Sequence, residues 1–362
     1  TVFLALGAWR MSKKNVLARR VPVLETLGEA TILCVDKTGT LTENKMVLRE
    51  LRTITEIYSV PEESHEALPQ GFRELAKYAI LASPKDPFDP MEKAIHSFGA
   101  QFFKGIEYPG DGTIPVKEYP LSPALLAVTN VWLSPNAGGY TIAAKGALEA
   151  IAGLCRIDGE KLVTLTALAK DMSGKGLRVL GVAAAHQSSA TLPNDPQEFT
   201  FQFIGLVGLY DPPRKSVAAA IKECYGAGIR VMMITGDFPP TAIAIARQIG
   251  LHDPSSVITG AELAELSSTE IAARLPKVTI CARVLPEQKL SIVKALQQSG
   301  EIVAMTGDGV NDAPALKAAD IGISMGSRGT DVAREASSLV LLDDNFASIV
   351  EAIRNGRKMF DN

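Results

Sequence analysis

The sequence predicts an α/β protein: a doubly wound parallel sheet with an inserted α+β domain built on an antiparallel sheet. Three observations predict it. From residue 203 onward, short apolar runs alternate with helical stretches, the pattern of strand–helix–strand units with right-handed crossovers. The apolar runs 31–36, 229–234 and 302–306 each stop at a short turn built from Thr, Gly and Asp, as strands do where reactive groups collect at their carboxyl ends. Between residues 49 and 203 the texture changes, and strand-like and helical runs are punctuated by clusters of Pro, Gly, Asn and Asp.

Taken in order, the run 31–36 (Thr-Ile-Leu-Cys-Val-Asp) is a buried strand, and Lys37-Thr38-Gly39 turns the chain. In the inserted segment helices are expected over 71–82, 90–103 and 162–172. Strands are expected over 113–119, 125–133, 139–145 and 177–185. Turns at 84–87, 109–112, 135–139 and 193–196 separate them. A strand to residue 209 then re-enters the parallel domain. Helix 216–227, strand 229–234, helix 239–249, strand 277–282, helix 286–298 and strand 302–306 follow. A helix begins near Pro314, where the missing N–H of proline costs nothing in a first turn. Strands 319–324 and 338–342 and helix 346–359 close the domain. The expected division is therefore 21–48 with 204–362 as one discontinuous domain and 49–203 as the insert, with no internal repeat.

Composition narrows the function. The 362 residues are 46% hydrophobic, enough for two separate cores, and 37 basic against 40 acidic residues leave a net charge of −3. Without a basic stripe and with few aromatics, no nucleic-acid partner is expected. Cys34, Cys155, Cys224 and Cys281 are scattered through apolar runs with no metal-ligand spacing, which reads as reduced, buried thiols. Four unclustered histidines argue against zinc. No secretory signal is visible. The uncharged start 1–9 is too short to span about 30 Å of hydrocarbon. Arg10, Lys13, Lys14, Arg19 and Arg20 follow it, a density found at the cytoplasmic foot of membrane helices and equally at ordinary amphipathic ones.

The chemistry is carried by four segments. In Cys34-Val35-Asp36-Lys37-Thr38-Gly39-Thr40-Leu41-Thr42, the strand holds the Asp36 carboxylate still while the turn aims backbone N–H groups at an incoming anion. Such a carboxylate can attack a phosphoryl group and carry it as an acyl phosphate. In Met305-Thr306-Gly307-Asp308-Gly309-Val310-Asn311-Asp312, the glycines allow close backbone approach. Asp308 and Asp312 would repel one another in a shared site without a cation, and hard oxygens at a strand end suit Mg²⁺. Asp312 has a second reading, as the cap of the next helix. In Ile234-Thr235-Gly236-Asp237, a hydroxyl and an open N–H suit a phosphate. Lys289, in Pro286-Glu287-Gln288-Lys289, can offset charge spreading over transferring phosphoryl oxygens.

These segments in this order resemble the haloacid dehalogenase superfamily. Asp36-Lys37-Thr38-Gly39-Thr40-Leu41-Thr42 resembles the phosphorylation motif of its P-type ATPase branch. Thr38 stands where soluble phosphatases of the superfamily carry a second Asp, which implies slow hydrolysis of the acyl phosphate. The resemblance extends to Asp211-Pro212-Pro213-Arg214, Lys145-Gly146-Ala147, Gly176-Leu177-Arg178 and Ala282-Arg283. It implies an ATP-hydrolysing core in which Asp36 is the nucleophile, with Thr235, Gly236 and Lys289 around the transferring group. Mg²⁺ would lie on Asp36, Asp308 and the Thr38 carbonyl, with Asp312, in the metal set, and Asn311 orienting its waters and Asp308. ATP would dock on the insert through Glu92, Lys145 and Arg178, with its γ-phosphate reaching Asp36. Asp237 and Arg283 would meet the ribose or diphosphate end, and Asp211 and Arg214 would set domain closure.

By the same resemblance, residues 1–20 are the end of a membrane or stalk helix and 356–362 approach the next one. The partners are then the membrane and actuator domains of a parent pump, on the cytoplasmic face of a membrane, this piece itself being soluble. Without a His-Pro pair near the insert, Asp-Pro-Pro-Arg points to pumps for Ca²⁺ first, then other hard cations or protons. One departure concerns the base: relatives place an aromatic and a lysine where Leu121 and Leu126 stand. Adenine would lie on an aliphatic wall or on a ring such as Tyr119. Stacking on an aromatic is worth about 1–3 kcal/mol per base, so weak ATP binding is expected. The alternatives are a free-standing phosphatase of the superfamily, against which Thr38 counts, and a nucleotide-binding module without chemistry, against which the Asp36, Lys289 and Asp308 set counts.

Overall fold

The computed structural model describes residues 7, 9, 11–20, 23–61, 67–103, 112–134, 138–188 and 191–360. Most of the apolar start 1–9, part of the turns at 109–112 and 135–139, and the last two residues lie outside the described set. In chain order the strands are β1 (Val16–Ala18), β2 (Ile32–Asp36), β3 (Val47–Arg52), β4 (Ile57–Ser59), β5 (Ile114–Tyr119), β6 (Ala127–Ser134), β7 (Gly139–Gly146), β8 (Arg178–Gln187), β9 (Gln202–Tyr210), β10 (Arg230–Ile234), β11 (Val257–Thr259), β12 (Ile280–Ala282), β13 (Val303–Gly307), β14 (Ile321–Met325) and β15 (Leu339–Leu341). The chain divides into two units, Thr1–Asn44 with Pro212–Asn362, and Lys45–Asp211.

The first unit is built on an eight-stranded sheet in the order β1-β15-β14-β13-β2-β10-β12-β11. All its pairings are parallel except β1 on β15. Strand β2 is buried along its length, as its unbroken apolar run requires of a parallel strand covered on both faces. Its neighbours are β13 and β10, so the chain passes to opposite sides of β2, the kind of switch point beyond whose strand ends open α/β sheets bind ligands. One face packs Ile32, Cys34, Met232, Ile234, Cys281, Val303 and Met305 against Ile292, Val293 and Leu296 of helix Pro286–Gln298. Each fully buried aliphatic contributes about 1.5–3 kcal/mol, and this is what fixes the strand ends.

The second unit is a seven-stranded antiparallel sheet, β4-β3-β9-β8-β7-β6-β5. Alternation along β7 and β8 sends Ala143, Val182 and Ala184 into a core with helices Gln70–Leu81 and Pro90–Phe102. It sends Ile142, Ala144, Ala183 and Ala185 into another with Tyr119, Phe199 and Phe201. Asp89 caps the second helix by accepting from the Met91 N–H at 2.7 Å, with Pro90 in the first turn.

One strand assignment is corrected. The run ending at residue 209 was expected to open the parallel sheet. Strand β9 instead lies between β3 and β8 in the antiparallel sheet. It pairs with β3, the strand by which the chain leaves the first unit, and both sides of β9 are then hydrogen-bonded within the insert. The boundaries expected at 48/49 and 203/204 therefore move outward, to Asn44/Lys45 and Asp211/Pro212.

Candidate active site

Strand register brings the sequence segments of the first unit together. Ile234 of β10 lies opposite Asp36, so Thr235 follows directly beside it. On the other side β13 runs parallel to β2 and ends at Gly307, one residue before Asp308. The Asp36 N–H donates to Thr306 Oγ1 at 3.0 Å, which ties the two strand ends. The turn after Asp36 bends through Gly39 at φ +76°, a left-handed value that favours glycine. It returns the Thr38 N–H to Asp36 Oδ1 at 3.3 Å.

Lys289 enters from the first turn of helix Pro286–Gln298. Its Nζ contacts Asp36 Oδ2 and lies 2.7 Å from Asp312 Oδ1. Burial alone would lower the Lys289 pKa, but the charges of Asp36 and Asp312 outweigh it and raise the pKa above the ordinary lysine value. Burial pushes the Asp36 carboxyl up, with Lys289 opposing. Asp308 is pushed up to about 6, first by burial and then by the charges of Asp36 and Asp312. Two carboxylates thus contact one ammonium, and a third lies near enough to feel the charges of all three groups. The donor set, hard carboxylate oxygens short of positive charge at a strand end, fits a divalent cation such as Mg²⁺.

Asp312, expected in the metal set and as a group that orients Asp308, is bonded to both Lys289 and the Asp308 loop. Its Oδ1 is taken by Lys289, and its Oδ2 accepts the N–H groups of Asp308 at 3.1 Å and Gly309 at 2.9 Å. It shapes the loop and packs so closely that a Cβ on Gly307 would lie 2.5 Å from the Asp312 Cβ. Among the described residues no three His, Cys, Asp or Glu side chains form a ready metal cage. Asn311 is exposed on the same loop.

Thr235 is buried, and its hydroxyl accepts from the Asp237 N–H at 3.1 Å, while Gly236 is exposed. Asp237, expected to meet the ribose or diphosphate end, lies in an ion pair. Its carboxylate is buried 2.8 Å from Lys37 Nζ. Sequence reasoning passed over Lys37, although a lysine inside an otherwise apolar strand-to-turn junction signals a buried partner. Arg283 is exposed, at φ +52°, with its guanidinium 5.5 Å from the Phe238 ring centroid. Arg214 holds the turn, donating to Gly39 O at 3.0 Å and Thr42 O at 3.1 Å.

In the second unit Lys145 and Glu92 meet at 2.7 Å. Lys145 also donates to Ala82 O at 2.7 Å and Ser83 Oγ at 2.8 Å. All three of its donors are engaged, and burial lowers its pKa despite Glu92. Arg178 is exposed at the start of β8. Tyr119 cannot serve as a stacking wall, because it is buried edge-on to Phe199 and donates to Pro193 O at 2.5 Å. Leu121 and Leu126 are exposed.

Comparison with known proteins adds the family. The chain is 39% identical to a calcium-transporting ATPase of Bacillus cereus, with 100% of this chain and 42% of that protein covered. It is 37% identical to a calcium-transporting ATPase of Bacillus subtilis, covering 100% and 45%. It is 34% identical to a sodium/potassium exporting P-type ATPase of Schizosaccharomyces pombe, covering 100% and 41%. The chain thus spans less than half the length of these relatives. No helix among the described residues is long and apolar enough to cross a membrane. A haloacid dehalogenase-like hydrolase model matches residues 31–320, from just before the strand that ends in Asp36 to beyond the Asp308 loop, and the chain belongs to that family.

Proposed function

We propose that the chain is the phosphorylation and nucleotide-binding part of a P-type cation-transporting ATPase, and that Asp36 accepts the γ-phosphoryl group of ATP as an aspartyl phosphate. The observation that carries this reading is the Asp36 carboxylate at the switch point of a parallel sheet, gripped by Lys289, with Thr235 and Asp308 following the two flanking strands. In the step, an Asp36 oxygen attacks the γ-phosphorus. The bond from that phosphorus to the bridging oxygen breaks, and ADP leaves with the electron pair. Lys289 lies where it can offset charge on the transferring group, and the Thr235 hydroxyl and Gly236 N–H are the neutral donors. Asp36, Asp308 and the Thr38 carbonyl would hold Mg²⁺, which supplies positive charge against the phosphoryl oxygens. Asp312 keeps Lys289 and the Asp308 loop in place.

In this reading the first unit is the phosphorylation domain and the second holds the nucleotide through Glu92, Lys145 and Arg178, with Arg283 of the first unit completing the binding set. Phosphoryl transfer drives a transported cation bound elsewhere in the parent pump, at the cytoplasmic face of its membrane, and calcium ranks first because two of the relatives above are named for it. The test is acid-quenched labelling with γ-phosphate-labelled ATP. Label on the protein should be acid-stable, released by hydroxylamine, and absent in Asp36→Asn. Labelling that survives that substitution eliminates the nucleophile, and with it the mechanism.

A further inference from the structure

The loop 326–330 follows β14 and is fixed from several sides. The Ser327 and Arg328 N–H groups donate to the two oxygens of Asp344 at 3.0 and 3.1 Å. Arg334 Nη1 donates to Gly326 O at 2.7 Å and also to Gly329 O. The Thr330 N–H donates to Asp308 O at 2.9 Å, so the loop is bonded to the backbone of the residue proposed as a cation ligand. From this frame the Arg328 side chain crosses to the turn after Asp36. Its Nη1 lies 3.5 Å from Gly39 O, and its Nε 3.9 Å from Asp344 Oδ2. The position a Cβ would take on Gly39 is 3.8 Å from Arg328 Nη1 and 3.1 Å from Asp308 Oδ2. One small space thus has a guanidinium on one side and a carboxylate oxygen on the other. No motif of the sequence analysis used Arg328.

We propose that Arg328 is a specificity-determining residue of this site: a resident positive charge that competes with the divalent cation for Asp308 and sets how strongly that cation binds. This rests on the phosphotransfer reading, in which Asp308 is a cation ligand. Three carboxylates around Lys289 alone would bind any divalent ion strongly. A guanidinium held at the edge partly neutralises them without entering the site, because Asp344 and the Gly39 carbonyl anchor it there. Both charges are partly solvated, so a moderate effect that weakens with salt is expected.

The test is Mn²⁺ binding to the full chain without nucleotide, followed by the loss of the free-ion electron paramagnetic resonance signal. Arg328→Gln should tighten Mn²⁺ binding roughly three- to tenfold at low salt, and Arg328→Lys, which keeps the charge, should bind as the unsubstituted chain does. Thermal unfolding of both variants in chelator reports whether the loop still folds. Arg328→Gln that binds Mn²⁺ no more tightly overturns the inference, as does Arg328→Lys that behaves like Arg328→Gln. Asp308→Asn is measured alongside and should lose the binding. If it binds Mn²⁺ unchanged, the cation does not sit on Asp308, and both the metal part of the phosphotransfer reading and this inference fall. Loss in Asp308→Asn with no change in Arg328→Gln removes the inference alone.

Discussion

Each unit of the molecule buries a lysine among oxygens, and the two clusters are opposite in balance. Lys145 has one carboxylate, Glu92, and two neutral acceptors, the Ala82 carbonyl and the Ser83 hydroxyl. Its donors are used up and its charge is matched once. Lys289 has two carboxylates in contact, Asp36 and Asp312, and Asp308 beside them. The pKa directions follow: burial dominates for Lys145 and lowers it, whereas carboxylates dominate for Lys289 and raise it. A saturated cluster has no charge left over. A cluster with surplus negative charge can take up another cation, and that surplus distinguishes the candidate reaction centre from the Lys145 cluster.

The comparison breaks first at Lys289. Replacing it with Met leaves Asp36 and Asp312 facing each other in a half-buried site, and removing one partner of such a pair costs about 3–5 kcal/mol. Urea unfolding followed by circular dichroism should show that loss, and phosphoenzyme formation should fall by about 10²-fold or more. A Lys289→Met chain that is stable and still labels would show that the lysine neither balances the carboxylates nor serves the transfer.

Asp308 gives the opposite sign. Its carboxyl is raised from the ordinary 3.8 to about 6, so its ionisation opposes folding. The penalty is full above about pH 6 and vanishes below about pH 4, where the group is protonated in both folded and unfolded chains. Without divalent cation, Asp308→Asn should therefore stabilise the chain by about 2 kcal/mol at pH 7 while losing phosphoryl transfer. The stabilisation should fade as the pH is lowered toward 4. A substitution that destabilises at pH 7 contradicts the surplus-charge account.

Lys145→Met should cost less, about 1–3 kcal/mol, because one carboxylate and two neutral acceptors lose their donor. Adding Glu92→Gln should restore part of the loss. A cost above that of Lys289→Met would reverse the ranking on which the comparison stands.

Much of the first unit was legible because its chemistry is local: a strand, a sharp turn and an acidic or hydroxyl side chain are written in consecutive residues at Asp36, Thr235 and Asp308. What was not legible depends on which strand lies beside which. The run of β9 looks the same whether it opens a parallel sheet or closes an antiparallel one, and only its pairing with β3 and β8 decides. The same holds for polar partners. Nothing near Asp237 in sequence announces Lys37, and nothing near Asp312 shows that both its oxygens are taken. Tyr119 reads as an available ring because its alternation does not reveal that its face of the sheet is covered by Phe199.

The smallest effect sharpens the second unit. With Tyr119 buried and Lys145 saturated, Leu121 and Leu126, where the family resemblance leads one to expect an aromatic and a lysine, are at 60% and 44% exposure. If the base lies on that aliphatic surface, Leu121→Phe adds a stacking face without displacing anything in the core. Stability should stay within about 0.5 kcal/mol, and ATP binding measured by calorimetry should tighten by about 1 kcal/mol, roughly fivefold. Because every base offers a π-face, GTP should gain about as much as ATP. A gain for ATP alone would mean that polar groups near residue 121 read the base edge. No gain for either nucleotide would move the base away from this wall, and the exposed leucines would then be ordinary surface.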